Sequence, residues 1–267
     1  MTSKGILVFA FNNAKIDYVT QAIELAKRAA TFLNLPVSVV SNTDIQSEHI
    51  DQVIFFDKFL RNRRRYSDGC DSQELEFINS PRVFAYDLSP YDETLVIDTD
   101  VIIQNSKLLE SFNLKNDIAM YDTCTDLTHR PNITEFKRVS DTSVKFYWAT
   151  IVFVRKGDIA KTFFDLTQHI QEEWDHYVNM YQLKRSQYRS DFCFSIAAHI
   201  MSDNTGKLPD KLYYTLDRDL LLSIKETSMQ FLVETPLYSG DYIVARTNKV
   251  NVHVMNKFSL DEILKYE

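Results

Sequence analysis

The sequence predicts an α/β protein with a mixed, mainly parallel sheet flanked by helices, and three observations predict it. Gly5 to Phe11 and Val37 to Ser41 read as strand-forming runs, the first of them buried, and Thr94 to Ile97 is aliphatic or β-branched without polar alternation, as in a strand buried on both faces. Between the first two runs, Ile16, Val19, Ile23, Ala26, Ala30 and Leu33 recur at steps of three and four, the period of an amphipathic helix. With a short strand at Val53 to Phe56, the chain opens β-α-β-β, which favours a parallel, Rossmann-like sheet with helical crossovers.

Length and composition bound the remaining choices. A chain of 267 residues can bury a substantial core, and 45% hydrophobic with 25% charged residues is ordinary globular composition, which excludes disorder. A net charge of −7 argues against a whole-surface nucleic-acid binder but leaves room for a local basic patch. The three cysteines, Cys70, Cys124 and Cys193, are scattered and never in Cys-x-x-Cys spacing, which suggests reduced thiols and no structural zinc. Ile6 to Phe11 is too short for a signal-peptide core or a membrane span, so a cytoplasmic protein is expected.

In chain order, Asn12 and Asn13 lie just past the first strand. Together with Ala10 and Tyr18 they are placed to receive a nucleotide base and ribose; an Asn pair that simply makes a turn is an equal alternative. With only five glycines there is no Gly-x-Gly-x-x-Gly and no P-loop, so the usual dinucleotide and P-loop sites are excluded. Arg61 to Arg65 is the one basic cluster: by default a solvated face, otherwise a cradle for an anionic acceptor, because arginine binds phosphate and carboxylate in bidentate fashion. Ser80 to Leu88 reads as a helix with Ser80 as N-cap and Pro81 in its first position.

Beyond Gln104 the pattern predicts a short helix at Asn105 to Leu109, a strand at Ile118 to Met120, and a polar loop from Asp122 to Asp141. Val144 to Val154 reads as one long strand. A helix after Gly157 carries Ile159, Phe163, Leu166, Ile170, Trp174, Tyr177 and Tyr181 on one stripe. The next helix, starting near Ser190 and Asp191, turns Phe192, Ile196 and Ile200 inward; Asp191 there favours the helix dipole by default. Tyr213 to Ser223 is ambiguous, and short strands are expected at Phe231 to Val233, Tyr242 to Ala245 and Val250 to Val254.

Candidate chemistry centres on Ser89 to Gln104, where the buried run Thr94 to Ile97 ends in Asp98 and Asp100. If the segment stays extended, the two carboxylates share one side at a strand's carboxyl end, where open α/β sheets bind ligands. Such a pair suits Mg²⁺ or Mn²⁺ and, through the metal, a diphosphate. With 24 aspartates, about two Asp-x-Asp triplets are expected by chance. Two occur, so only the strand before Asp98 distinguishes it. The other triplet, Asp217-Arg218-Asp219, reads as a solvated turn or helix start.

Arg82 opening a helix, the Pro90-Tyr-Asp turn, the strand ending in Asp98-Thr-Asp-Val101, and Val250-Asn-Val-His-Val-Met-Asn-Lys257 together resemble the GT-A glycosyltransferases. The resemblance is closest to the glycogenin-like and bacterial lipooligosaccharide galactosyltransferase-like enzymes. It implies a single GT-A domain over 1–267, with residues 1–104 a nucleotide-binding half and 105–267 an acceptor-side half. It further implies that Asp98 meets ribose and metal, that Asp100 and His253 complete the metal site, and that Arg82 and Lys257 face the donor, Lys257 at its diphosphate. Asp191, where the family has Asp-Gln, would orient sugar or acceptor. The chain departs from the family at Trp148 to Ile151 and at Phe192.

The implied activity is Mn²⁺- or Mg²⁺-dependent transfer of a hexosyl or pentosyl group from a nucleotide sugar, a UDP-sugar first. The acceptor would be a saccharide, a small molecule, or a hydroxymethylated base in DNA as in bacteriophage DNA modification, to which only Arg61 to Arg65 point. The alternatives are a two-metal nuclease or phosphodiesterase using Asp98 and Asp100, and a non-catalytic nucleotide-binding module on the same fold.

Overall fold

The structure, a computed structural model, describes residues 2–68, 71–130, 137–141, 143–184, 187–202, 204–235 and 240–266. Cys70 and part of the polar stretch between Asp122 and Asp141 lie outside the described residues. The chain runs β1 (Lys4–Phe9), α1 (Tyr18–Phe32), β2 (Val37–Ser41), β3 (Gln52–Phe55), β4 (Asn62–Ser67) and β5 (Ser72–Phe77). A 3-10 turn at Ser80–Phe84 leads into α2 (Ala85–Leu88), followed by β6 (Glu93–Ile97) and β7 (Val101–Ile102). After a second 3-10 segment at Lys107–Asn113 come β8 (Ile118–Tyr121), β9 (Thr125–Asp126), β10 (Trp148–Arg155), α3 (Asp158–Glu172), α4 (Trp174–Met180) and α5 (Ser190–Ile200). The chain closes with β11 (Gly206–Lys207), β12 (Tyr213–Tyr214), β13 (Leu220–Ile224), β14 (Ser228–Glu234), β15 (Tyr242–Asn248), β16 (Val252–His253) and α6 (Lys257–Leu264).

Seven strands form the main sheet in the order β11-β8-β10-β6-β1-β2-β3. β3, β2, β1 and β6 are parallel neighbours, and β10 is inserted antiparallel between β6 and β8. β2 and β6 are buried at every position, as expected for strands covered on both faces. From β1 the chain steps outward to β2 and β3, then returns to lay β6 on the other side of β1. The order therefore reverses between β1 and β6, and the crevice beyond their carboxyl ends is the topological switch point. A smaller sheet, β7-β16-β12-β9, continues from the tip of β6.

Several local expectations are corrected. β1 ends at Phe9, and the buried stripe of α1 runs through Ala22, Leu25, Ala26, Ala29 and Leu33, leaving Ala30 exposed. The stripe is rotated because α1 also buries the Glu24–Arg28 ion pair, 2.6 Å apart one turn along the helix. Asn79, not Ser80, is the N-cap of the 3-10 turn; the Ser80 hydroxyl instead accepts the Leu60 amide at 2.8 Å. The expected short helix near Asn105 is the 3-10 segment starting at Lys107. β10 begins only at Trp148, and its register against β8 shifts between Trp148 and Val152, a bulge. Ile159 and Ile200 face solvent at 40% and 45% exposure. The stripe Phe163 to Tyr181 is interrupted at Glu173, where α3 gives way to α4.

The second Asp-x-Asp triplet is a turn with Asp217 and Arg218 exposed, as expected, but its last residue is not solvated. Asp219 is fully buried and both its oxygens accept from Arg130, which also binds Asp126.

Candidate metal centre and active site

The Asp98–Asp100 segment does not stay extended. Asp98 N–H donates to Thr150 O across to β10, and Val101 N–H donates back to Asp98 O at 3.2 Å, closing a turn between β6 and β7. The two carboxylates converge because the chain turns over them, not because a strand alternates. β7 then pairs antiparallel with β16, setting His253 opposite Val101, and Val254 N–H donates to Asp100 O at 2.9 Å. That register carries the C-terminal imidazole to the turn across 153 residues of sequence.

His253 Nε2 lies 3.0 Å from Asp100 Oδ2. One ligand atom from each of Asp98, Asp100 and His253 falls within 4.8 Å of the others, the one such group among the described residues. Two carboxylates and an imidazole form a donor set that can hold a divalent cation. The graded exposure also fits a bound ion: Asp100 and His253 have side chains 5% and 9% exposed, whereas Asp98, at 33%, opens to solvent. Burial pushes the His253 imidazole down to about 4, so it is neutral at pH 7, the form that ligates a metal. Thr150 Oγ1 stands 3.4 Å from the other ring nitrogen, Nδ1, where a partner fixes the tautomer of a ligating histidine.

Two cations already hold the carboxylates. Arg82 Nη1 donates to Asp98 Oδ1 at 2.6 Å, and Nη2 donates to Ala149 O. The Lys257 ammonium, 3% exposed, lies on Asp100 Oδ2 and donates to Val254 O at 3.1 Å. Burial first, and the Arg64 charge second, depress Lys257 well below the usual lysine range. Arg82 and Lys257 therefore sit against the two aspartates themselves; neither is directed only at open crevice.

The remaining predicted residues fall nearby in different roles. Asp191 Oδ1 accepts the Ala149 amide at 2.9 Å and Oδ2 accepts from Arg189 at 3.0 Å. Arg82 and Asp191 thus grip opposite ends of one residue in the β10 bulge, Ala149. Ala10 is buried, its amide donating to Val40 O. Asn13 makes a turn, accepting from Lys15 and Ile16 N–H and donating to Glu76 O. Asn12 accepts from Val19 N–H and donates to Asp17. Tyr18 is buried, with its hydroxyl 2.8 Å from that of Tyr66.

Sequence reasoning missed a supporting network. Thr99 Oγ1, between the two aspartates, donates to Gln21 Oε1 at 3.0 Å, and Gln21 Nε2 donates to Asp261 Oδ1 at 2.6 Å. The turn is thereby tied to α1 and to α6, the helix that begins with Lys257. A glutamine within an amphipathic helix gives no sequence signal of this.

No family model matches the chain, and no curated relative matches it. Among solved structures it is similar to the glycosyltransferase GlyE of Streptococcus pneumoniae TIGR4, at 16% identity over 79% of this chain and 46% of that one, with a TM-score of 0.44. It is also similar to the galactosyltransferase LgtC in complex with donor and acceptor sugar analogs, at 15% identity over 76% of this chain and 72% of that one, TM-score 0.44. The chain spans about half the length of the GlyE structures it matches.

Proposed function

We propose that the chain is a metal-dependent glycosyltransferase that moves a hexosyl or pentosyl group from a nucleoside diphosphate sugar, a UDP-sugar first, to an acceptor hydroxyl. One observation carries the reading: Asp98, Asp100 and His253 converge beyond the carboxyl ends of β1 and β6, where the sheet order reverses. The motif resemblance of Arg82 to Val101 and of Val250 to Lys257 supports the same conclusion. A core that joins residues of 1–104 and 105–267 supports reading the chain as one domain.

Asp98, Asp100 and His253 would hold Mn²⁺ or Mg²⁺, which stabilises the charge on a departing diphosphate. The protein's own groups then divide the work. Arg82 fixes the Asp98 carboxylate and Thr150 the His253 ring. Lys257 braces Asp100 from the α6 side, and Asp191, 20% exposed, orients the sugar or acceptor next to the Ala149 bulge. The acceptor is a saccharide or small molecule in the first reading; DNA rests only on the Arg61 to Arg65 cluster, of which Arg61, Arg63 and Arg65 lie exposed.

A two-metal nuclease would need further carboxylates at the site, and the cluster offers two with one imidazole. No helix among the described residues is long and apolar enough to cross a membrane. Incubating the protein with Mn²⁺ and a panel of UDP-, GDP- and ADP-sugars, or with labelled DNA, tests the reading. Release of nucleoside diphosphate from one donor is expected. Strand cleavage without such release would point to the nuclease, and binding without turnover on any acceptor or water would leave a binding module.

A further inference from the structure

The hairpin β4–β5 divides the basic cluster into two faces. Along β4, Arg63 and Arg65 are exposed, whereas Arg64 is half-buried and Tyr66 is buried, the alternation of a strand with one covered side. Tyr66 packs edge-on against Phe258, 6.4 Å between centroids, and Phe258 follows Lys257 directly. The Tyr66 hydroxyl meets that of Tyr18 at the start of α1. The Arg64 guanidinium lies over the rings of Tyr66 and Phe77, at 5.6 and 5.4 Å. The covered side of β4 therefore faces the wall of the metal crevice formed by α1 and the start of α6.

Arg64 is also the exception among the arginines. Every other buried or half-buried arginine among the described residues has a carboxylate: Arg28 has Glu24, Arg82 has Asp98, Arg130 has Asp126 and Asp219, Arg155 has Glu93, and Arg189 has Asp191. Arg64 forms no ion pair with the described residues and rests on two aromatic faces. A half-desolvated guanidinium held in this way keeps its planar donors available for an anion. Its charge already reaches the site, since it adds to the depression of both Lys257 and His253. Lys257, meanwhile, is occupied by Asp100 and Val254.

We propose that Arg64 is a further donor-binding residue, contacting the diphosphate oxygens of the nucleotide from the hairpin side of the crevice. This rests on the glycosyltransferase reading and assigns the basic cluster's inward arginine to the donor, leaving its outward pair, Arg63 and Arg65, without a part in donor binding.

The test is calorimetric titration of the full chain with Mn²⁺ and UDP, GDP and ADP, and with the matching nucleosides, for wild type, Arg64→Ala, Arg64→Lys and Arg63→Ala/Arg65→Ala. Loss of a charge-assisted contact predicts that Arg64→Ala weakens diphosphate binding about 10- to 100-fold, with nucleoside affinity unchanged and Arg64→Lys in between. The outward double variant should bind the diphosphate as wild type does, and melting temperatures confirm that each variant folds. Equal loss of diphosphate and nucleoside affinity would make Arg64 a structural prop and overturn the proposal. Wild-type diphosphate affinity in Arg64→Ala would overturn it while leaving the functional reading intact. Absence of diphosphate binding by the wild type would remove both.

Discussion

Arg130 binds both oxygens of Asp219, at 2.8 and 2.7 Å, with its guanidinium only 1% exposed and the carboxylate fully buried. The second Asp-x-Asp triplet is therefore half structural: Asp219 neutralises a buried cation while Asp217, two residues earlier, is exposed. Removing Asp219 leaves Arg130 paired with Asp126 but strips it of two buried, charge-assisted hydrogen bonds, at a cost of about 1.5–3 kcal/mol. Asp219→Ala is expected to lose that much stability in urea denaturation, with Asp217→Ala within about 0.5 kcal/mol of wild type.

Asp126, the other partner of Arg130, gives the pH dependence of the same cluster. Burial alone would raise its carboxyl; the Arg130 side chain and the backbone amides of Arg130 and Thr128 outweigh burial and hold it below the usual aspartate range. A carboxyl depressed on folding contributes stability that is fully present above its unfolded value, about 3.9, and is lost as pH falls through the lower folded value. Unfolding free energy measured by urea titration should therefore fall below about pH 4. Asp126→Asn should be less stable at pH 7 and show a shallower acid decline.

Gln21 joins Thr99 in the Asp98–Asp100 turn to Asp261 on α6. Gln21→Leu keeps the helix and much of the volume but leaves Asp261 and the Thr99 hydroxyl without their amide partner. The expected cost is about 1–3 kcal/mol in thermal or urea unfolding. An unchanged stability would show that the network does not hold α6 against the turn.

How much of this was legible follows from range. β6 was readable because a strand buried on both faces has a local signature, and β2 and the order of the opening β-α-β-β unit were readable as well. The pairing of His253 with Asp100 was suggested only by motif resemblance, since an imidazole in a short apolar strand is ordinarily structural; its cause is the β7–β16 register, a contact between distant segments. The geometry of the two aspartates was misjudged because a turn, not strand alternation, brings them together. Asp219 was misread because its partner Arg130 lies 89 residues away. Gln21 was silent for the same reason, and Arg64 stood out only as one of the Arg61 to Arg65 cluster: what gives each its role is the surface it meets, not its neighbours in sequence.

In the proposed function, Asp98, Asp100 and His253 hold a divalent ion that in turn holds a nucleoside diphosphate. The most direct test is the affinity of the wild type and of Asp100→Asn for UDP, measured by calorimetry with Mn²⁺ and again with excess chelator. Binding by the wild type is expected only with Mn²⁺, with at least about a tenfold loss in Asp100→Asn, since losing even a partner that supports a metal ligand costs about that much. UDP binding of equal strength with and without the metal, or unchanged in Asp100→Asn, would contradict that function.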